Sequence, residues 1–511
     1  MTAASGDSAG PHPLFPVALG LLVALDYFDN GAFSFFASYI AGGLNAPPDE
    51  LVWATSAYAV ASVLGILQQQ WWIERVGHRR YLVACPLLFS MAGLAAMFAE
   101  SSVEMAFARA FQGYFMGPML CACRIIIQVS FSGPSRSIAT RIFLTNILLA
   151  SATAPLLGAY LVAHAGWQAL FAATALAGFG LAGFASVAIP ETGRQEEAVQ
   201  GEAHFWAYIV FAAGIGMLQI AMQQIRFQLF TGSPQLIVLS ACGLGALAWF
   251  ARHQWSQPHP LVKFQAIKEK PFQTGLILYT FFYYISNALG YLVSRLLEGG
   301  LGYPVENTGN LVGFSALAAL PLVFLYFKYS PLIGNKKFLM IPGYMITILV
   351  CFWLSRLPPD VSTSWLIGPM FLRGALLLTM ALPVGAAAFG MFSDEEYHHG
   401  YRFKGILKQL TYSFSTATII MLEQHRGALH YAQLAEAVTP SNPSVQPLLD
   451  SMTGSFMATG HSLAEAHSLA LFNIYEMVVK QANLLSVQDG FIYLGAIAVV
   501  AGLFTTWQRH I

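Results

Sequence analysis

An all-α, polytopic membrane protein with fourteen transmembrane helices and a duplicated bundle is the fold class that this sequence predicts, on three observations. Of 511 residues, 56% are hydrophobic and only 10% are charged, which is not the composition of an ordinary water-solvated domain. A hydrocarbon core about 30 Å thick asks for roughly 20 apolar residues per helix, and the chain offers fourteen such runs. A signature of glycine, polar residue, two cations, aromatic and leucine occurs twice, as Gly77-His78-Arg79-Arg80-Tyr81-Leu82 and as Gly334-Asn335-Lys336-Lys337-Phe338-Leu339. Each copy closes one apolar run and opens the next, as an internal repeat in a membrane bundle does.

The first run, 13–36, follows a segment without Lys or Arg and lacks an A-x-A cleavage site, so it predicts a retained helix rather than a signal peptide. Runs 51–72 and 81–99 flank the first signature, and 104–128, 141–163 and 167–189 complete the first set. Pro190 to Ala203 is a Glu-rich polar linker leading into runs 204–224 and 233–251. Runs 272–294 and 307–327 precede the second signature, and 338–356, 364–388, 403–423 and 488–507 follow it. Between the last two, 424–486 reads as an external loop, in which Leu471, Phe472, Tyr475 and Val478 are spaced as a short amphipathic helix resting on the bundle or meeting a partner.

Charge distribution sets the orientation. With both termini cytoplasmic, Arg75, Arg79, Arg80, Lys263, Lys268, Lys270, Lys336, Lys337, Arg402 and Lys404 fall on or beside the cytoplasmic side. Only Arg226, Arg295, Arg356, Arg426 and Lys480 fall outside, a strong positive-inside bias. Formal net charge is zero, which argues against a nucleic-acid partner. The chain has no Walker sequence, so ATP hydrolysis is not its energy source, and no cofactor is expected. The two histidines and glutamate of His461 to His467 lack the His-Glu-x-x-His spacing, so no metal site is expected. The five cysteines all lie in apolar runs and read as small packing residues.

A charge at the bilayer centre costs about 2.5–3.5 kcal/mol even on insertion scales, so each one needs a partner, a wet cavity or a function. The first run holds Asp26 and Asp29, three residues apart with Asn30 beside them. Run 104–128 holds Arg109 and Arg124, and run 364–388 holds Arg373 at a place resembling that of Arg109 in the repeat. Burial raises an acid's affinity for a proton and a neighbouring cation lowers it, so moving the two relative to each other makes the acid take up and release protons. An Asp26-Arg109 pair is the expected couple, with Asp29 as a second acid. Tyr27, Gln112, Asn287, Gln219 and Gln223 join Arg124 and Arg373 as candidate cavity residues, since pockets are mostly apolar with few polar groups. Three arginines against two acids hint at an anionic substrate.

Several motifs resemble the major facilitator superfamily, and within it the fourteen-helix drug:proton antiporter group (EmrB/QacA-like). Leu25-Asp26 matches its first-helix signature, and Trp53 to Tyr58 resembles its Trp-x-x-x-x-Tyr opening of helix two. Glu74-Arg75-Val76-Gly77-His78-Arg79-Arg80 resembles its loop motif, with Glu for the usual Asp and Gln70 for the usual first Gly. Arg109-Ala110-Phe111-Gln112-Gly113 matches its helix-four motif in full, and Ala154-Pro155-Leu156-Leu157-Gly158-Ala159 resembles its helix-five antiporter motif with Ala for two glycines. The resemblance implies two six-helix bundles, 1–192 and 269–511, with a linker and an extra helix pair at 193–268 inserted between them. It implies a proton-coupled exporter of small amphipathic molecules or drugs, working by alternating access in a bacterial inner membrane. In it Arg109 modulates the helix-one acid, Glu74, Arg75, Gly77, Arg79 and Arg80 latch one state, and Gly113, Pro155 and Gly158 serve helix contacts and a kink. Expected partners are the small-molecule substrate, protons and membrane lipid, with a periplasmic membrane-fusion adaptor and an outer-membrane channel as further candidates. A dedicated metabolite or siderophore transporter, and a transport-dead receptor or scaffold, remain open alternatives.

Overall fold

A computed structural model of the protein describes residues 13–191, 205–225, 234–257, 261, 269–389, 394–439 and 442–509. Helix forms throughout, with no strand among the described residues, because buried backbone polar groups in an apolar environment must be satisfied within the segment that carries them. The first bundle contains α1 (Phe15–Phe35), α2 (Ala37–Gly43), α3 (Pro48–Val76), α4 (His78–Met97), α5 (Ser102–Met116), α6 (Met119–Ser130), α7 (Gly133–Ala165) and α8 (Gln168–Ala188). A pair follows, α9 (Phe205–Ile225) and α10 (Pro234–Ser256). The second bundle contains α11 (Lys270–Arg295), α12 (Val305–Ala318), α13 (Pro321–Tyr329), α14 (Lys337–Leu354) and α15 (Thr363–Gly374). It ends with α16 (Leu382–Phe389), α17 (Asp394–Ala437), α18 (Val445–Ala458) and α19 (Leu463–Trp507).

Local chemistry explains where helices start and break. Ser101 caps α5 through the Glu104 amide at 3.3 Å, and Ser462 with Glu465 forms a reciprocal capping box at α19. The apolar run 104–128 is split into α5 and α6 at Gly117-Pro118, and 307–327 into α12 and α13 before Pro321, since proline cannot donate to the preceding turn. Run 364–388 is interrupted by a π-helical turn at Leu377–Ala381. Twelve helical stretches among the described residues are long and apolar enough to cross a membrane. α1 and α17 are not among them, because they carry the charges described below.

Within the first bundle α1 packs on α7 and α8, α3 on α5, and α4 on α5 and α8; within the second, α11 packs on α17 and α19, α14 on α19, and α12 on α15. Two seams join the bundles, α7 against α12 on one side and α3 with α6 against α17 on the other. The first seam is close because Gly309 faces the Pro155 turn, where a methyl would come within 2.3 Å of Ala159 Cβ. The α9-α10 pair packs on itself and touches α3 and α17 through α9. Large apolar side chains such as Phe107, Phe111, Leu176, Trp206, Phe324 and Phe352 are exposed around the bundles, where a bilayer would receive them.

The segment 424–486 is not the loop that the sequence predicts. α17 runs unbroken to Ala437, α18 spans Val445–Ala458, and α19 begins at Leu463, so helices project well past the apolar runs. Continuing an existing helix avoids a new nucleation cost. The three projections hold together through a small core of Leu449, Ala470 and Ile474, and through Arg426 and His430, which reach Asp489 of α19 at 2.5 and 2.7 Å.

Candidate functional site

Three residues on a helix lie about 300° round, or 60° apart, enough for α1 to aim Asp29 into its own bundle and Asp26 toward the second. Both are buried, with side chains 3% and 1% exposed. Arg109 of α5 is also buried and donates through Nη1 to Asp29 and to Gln112 Oε1 (2.9 Å), and through Nη2 to Asn30 Oδ1 (3.0 Å). Its guanidinium lies between the rings of Phe33 and Tyr58, 4.3 and 4.4 Å from their centroids. Arg109 therefore pairs with Asp29, which corrects the expected Asp26-Arg109 pair; the helical offset between the two acids is the reason.

Asp26 has a different cation. Its Oδ1 accepts from the Tyr58 hydroxyl and from Asn30 Nδ2 (3.0 Å). Its Oδ2 accepts no hydrogen bond from the described residues and faces Lys408 Nζ of α17 at 3.9 Å. The Lys408 ammonium in turn lies 4.1 Å over the Tyr27 ring. Asn30 thus ties the two acids together, donating to one and accepting from the partner of the other.

Asp26, Tyr27 and Lys408 stand at one end of a cavity of about 710 Å³ between the two bundles. From there it passes Tyr58, Asn287 and Arg373 and reaches Arg295, Glu423 and Gln424, at the end of the molecule from which α17, α18 and α19 project. Phe35, Phe282, Leu289, Val312, Met370 and Ile420 supply apolar wall. Asn287 Nδ2 donates to Thr416 Oγ1 (2.9 Å) and to the Tyr412 carbonyl (3.2 Å). Near the mouth, Arg295 holds Glu423 Oε1 at 2.8 Å and the Tyr291 hydroxyl donates to Glu423 Oε2 at 2.6 Å. Arg373 also lines the cavity, and no described residue gives it a hydrogen bond or ion pair.

The opposite end of the cavity, on the side of the Gly77 and Gly334 turns, is shut by contacts across the seam. Arg402 of α17 donates to Gln70 Oε1 of α3 (3.1 Å) and to the Leu261 carbonyl (3.0 Å). The Cys121 thiol reaches the Tyr401 carbonyl at 3.3 Å. Arg124 stacks against Tyr397 and Tyr401 at 5.6 and 5.9 Å.

Three residues expected in the cavity wall are placed elsewhere. Arg124 belongs to this closed end, and Gln112 is consumed by Arg109. Gln219 of α9 donates to Ser56 Oγ of α3 at 2.8 Å and to Ser413 Oγ of α17, so it fastens the extra pair to both bundles. The Gln223 side chain lies outside the described residues. In the loop motif, Gly77 ends α3 at φ +88°, a conformation that favours glycine. Glu74 accepts from Gln70 at 2.9 Å, so the departure to Gln70 links the motif to Arg402. Arg75 stacks on Trp71 at 3.9 Å, Arg79 pairs with Glu191 at 3.0 Å, and Arg80 is exposed. The second signature is used alike, with Lys337 donating to the Gln508 carbonyl at the end of α19. Gly113 and Gly158 are sites of close approach, where a methyl would meet the Tyr58 carbonyl and the Phe36 ring, each at 2.3 Å.

Sequence reasoning missed Lys408 and Tyr58. The signal for Lys408 was present, since it stands inside the run 403–423 and belongs with the intramembrane charges. Tyr58 closes the Trp53 motif quoted above, but nothing in its spacing gives a hydrogen bond to an acid on another helix. No cluster of metal-ligating side chains is present among the described residues.

Two helical bundles around a charged central cavity, shut at one end, define a multi-pass membrane carrier. The family model for the Major Facilitator Superfamily matches residues 19–414, and the chain belongs to that superfamily. It is a transporter rather than an enzyme. Probable multidrug resistance protein EmrY of Escherichia coli (strain K12) is 22% identical over 449 residues, 86% of each chain. Fatty acid resistance protein FarB of Neisseria gonorrhoeae is 21% identical over 453 residues, 88% of each chain. Multidrug export protein EmrB of E. coli K12 is 21% identical over 86% of each chain. Among solved structures, a partially occluded inward-open xylose transporter XylE from E. coli aligns over 96% of both chains with TM-score 0.60 at 12% identity. An auto-inhibited POT family peptide transporter aligns over 97% of both with TM-score 0.57 at 13% identity.

Proposed function

We propose that this protein is a proton-coupled exporter of small amphipathic molecules in a bacterial inner membrane, with Asp26 as the proton-binding group. The observation that carries this reading is Asp26 Oδ2, buried at the closed end of the cavity, with no hydrogen bond from the described residues and facing Lys408 of the other bundle. A proton on Asp26 cancels its attraction for Lys408, and so loosens one tie between the bundles. Asp29 and Arg109, locked together outside the cavity wall, hold α1 and α5 in register and transmit the state of Asp26 through Asn30. Relatives named for multidrug and fatty-acid resistance support an export direction.

In this reading the chain crosses fourteen times, with α1 and the middle of α17 added to the twelve apolar helices, and both termini are cytoplasmic. The positive-inside bias supports that orientation. Residues 1–192 and 269–511 are the rocking halves, and 193–268 is an inserted pair. The cavity then opens outward, and Arg402, Gln70 and Glu74 form part of the cytoplasmic latch. The projecting helices α17 to α19 offer the surface that a periplasmic adaptor leading to an outer-membrane channel would use.

Proton release in everted membrane vesicles, challenged with anionic, cationic and neutral amphiphiles, tests the proposal. A substrate-dependent pH response should be lost in Asp26→Asn and kept in wild type. A silent Asp26→Asn together with loss of phenotype on deleting 440–461 would instead favour a receptor or scaffold. A response to one compound class alone would narrow the reading to a dedicated transporter.

A further inference from the structure

Among the described residues, the acids that line the cavity are Asp26 and Glu423. Asp26 is engaged by Tyr58, Asn30 and Lys408, and Glu423 by Arg295 and Tyr291. Arg373 is left over. Its Nη2 lies 3.6 Å from the position a methyl on Gly290 would take, so the guanidinium lies across the bare backbone of α11 one turn beyond Asn287. The helix that faces it, α11, carries no acid where α1 carries two. The spacing that separates Gly77 from Gly334 also sets Asn287 against Asn30, Ser286 against Asp29 and Tyr283 against Asp26. On that spacing the second half has the asparagine and neither carboxylate, and its arginine stands seven residues past the position that matches Arg109.

An arginine without a counter-ion in a partly desolvated cavity is a poor structural element and a good receptor, because its planar fork matches a carboxylate or sulfonate. Asn287 spends its amide N–H groups on α17 and leaves the anion to Arg373. Around these polar groups the wall is apolar and aromatic, including Phe35, Phe282, Leu289 and Met370.

We propose that Arg373 is the anchor for an anionic head group, and that the substrates of this protein are amphipathic monoanions whose apolar body lies along the Phe35, Phe282 and Met370 wall. This rests on the exporter reading for what happens after binding, but the site itself is defined by the cavity.

The test uses full-length protein in nanodiscs of zwitterionic lipid and three fluorescent probes of one shape: 2-naphthoate, its neutral amide, and 2-naphthylmethylammonium. Wild type should bind the naphthoate most tightly. Arg373→Gln should weaken naphthoate binding by about 10- to 100-fold, the range of a lost charge-assisted contact, and leave the amide within about twofold. Arg373→Lys should fall between, since it keeps the charge and loses the fork. Equal affinity of wild type for naphthoate and amide, no binding of naphthoate, or a uniform loss of all three probes in Arg373→Gln would overturn the proposal. Failure of the exporter reading looks different: naphthoate binds through Arg373 but drives no proton release in vesicles.

Discussion

Arg109 and Arg373 occupy similar places in the two halves and are treated in opposite ways. In the first half the guanidinium is enclosed, with Asp29, Asn30 and Gln112 as hydrogen-bond partners and two aromatic rings as walls. In the second half it stands in the cavity with no described partner. The difference between the halves lies in which helix carries acids. α1 carries Asp26 and Asp29, while α11 carries Tyr283 and Ser286 at the matching positions. The first half holds the buried acids, and the second half presents an arginine to the cavity.

The sharpest way to break this comparison is to remove each arginine in turn and read stability. Arg109→Gln leaves Asp29 buried without a cation, and thermal unfolding in detergent should show a loss equivalent to about 3–5 kcal/mol, the usual result of stripping one partner from a buried pair. Arg109→Gln with Asp29→Asn should recover most of it, because no charge is then stranded. Arg373→Gln, which strands nothing, should unfold close to wild type, within about 0.5 kcal/mol. Equal destabilisation by the two single variants would mean that Arg373 has a structural partner, and the contrast would fail.

A smaller effect is expected where the two halves meet at Lys408. At 3.9 Å a pair of unit charges interacts by on the order of 4 kcal/mol at an effective dielectric of 20. Lys408→Gln should lower substrate-driven proton release by at least about tenfold, since a fraction of that energy, about 1.4 kcal/mol, is already a factor of 10. Lys408→Arg should retain a measurable response. If Lys408→Gln couples as well as wild type, Asp26 works without its partner in the second half, and the division of labour between the halves is wrong.

Much of the architecture was legible in the sequence because it follows from length, hydropathy and the repeated signature. The site was legible in part, for a reason visible in α1 and α17. Charges that mark a helix as functional also dilute its apolar signal, which is why these two helices stand outside the set of twelve. The pairing of Arg109 was not legible, because a motif gives the residue types and only the helical phase of α1 decides whether Asp26 or Asp29 meets it. Nor were the projections of α17 and α19. Their residues beyond the apolar runs are ordinary polar helix formers, which composition does not distinguish from a loop.

The smallest effect, and the one that separates the two seams, belongs to Gly405 of α17. A methyl there would sit 2.5 Å from Cys121 Sγ and 3.2 Å from Ile66 Cδ1, so any larger residue forces the closed end to shift at this contact. Overpacking of this kind typically costs about 1–3 kcal/mol, and here only the state with this end shut bears the cost. In Gly405→Val the population should shift toward the state open on the Gly77 side, by roughly 5- to 150-fold from that energy. Cys121 is buried in the shut state and becomes its own reporter. In a Cys242→Ser background, which removes the exposed thiol, alkylation of Cys121 by a maleimide applied to everted vesicles should accelerate severalfold. Unchanged labelling would show that α17 yields without releasing the latch, and that the first-half contacts at Gln70 and Cys121 do not set which end of the cavity is closed.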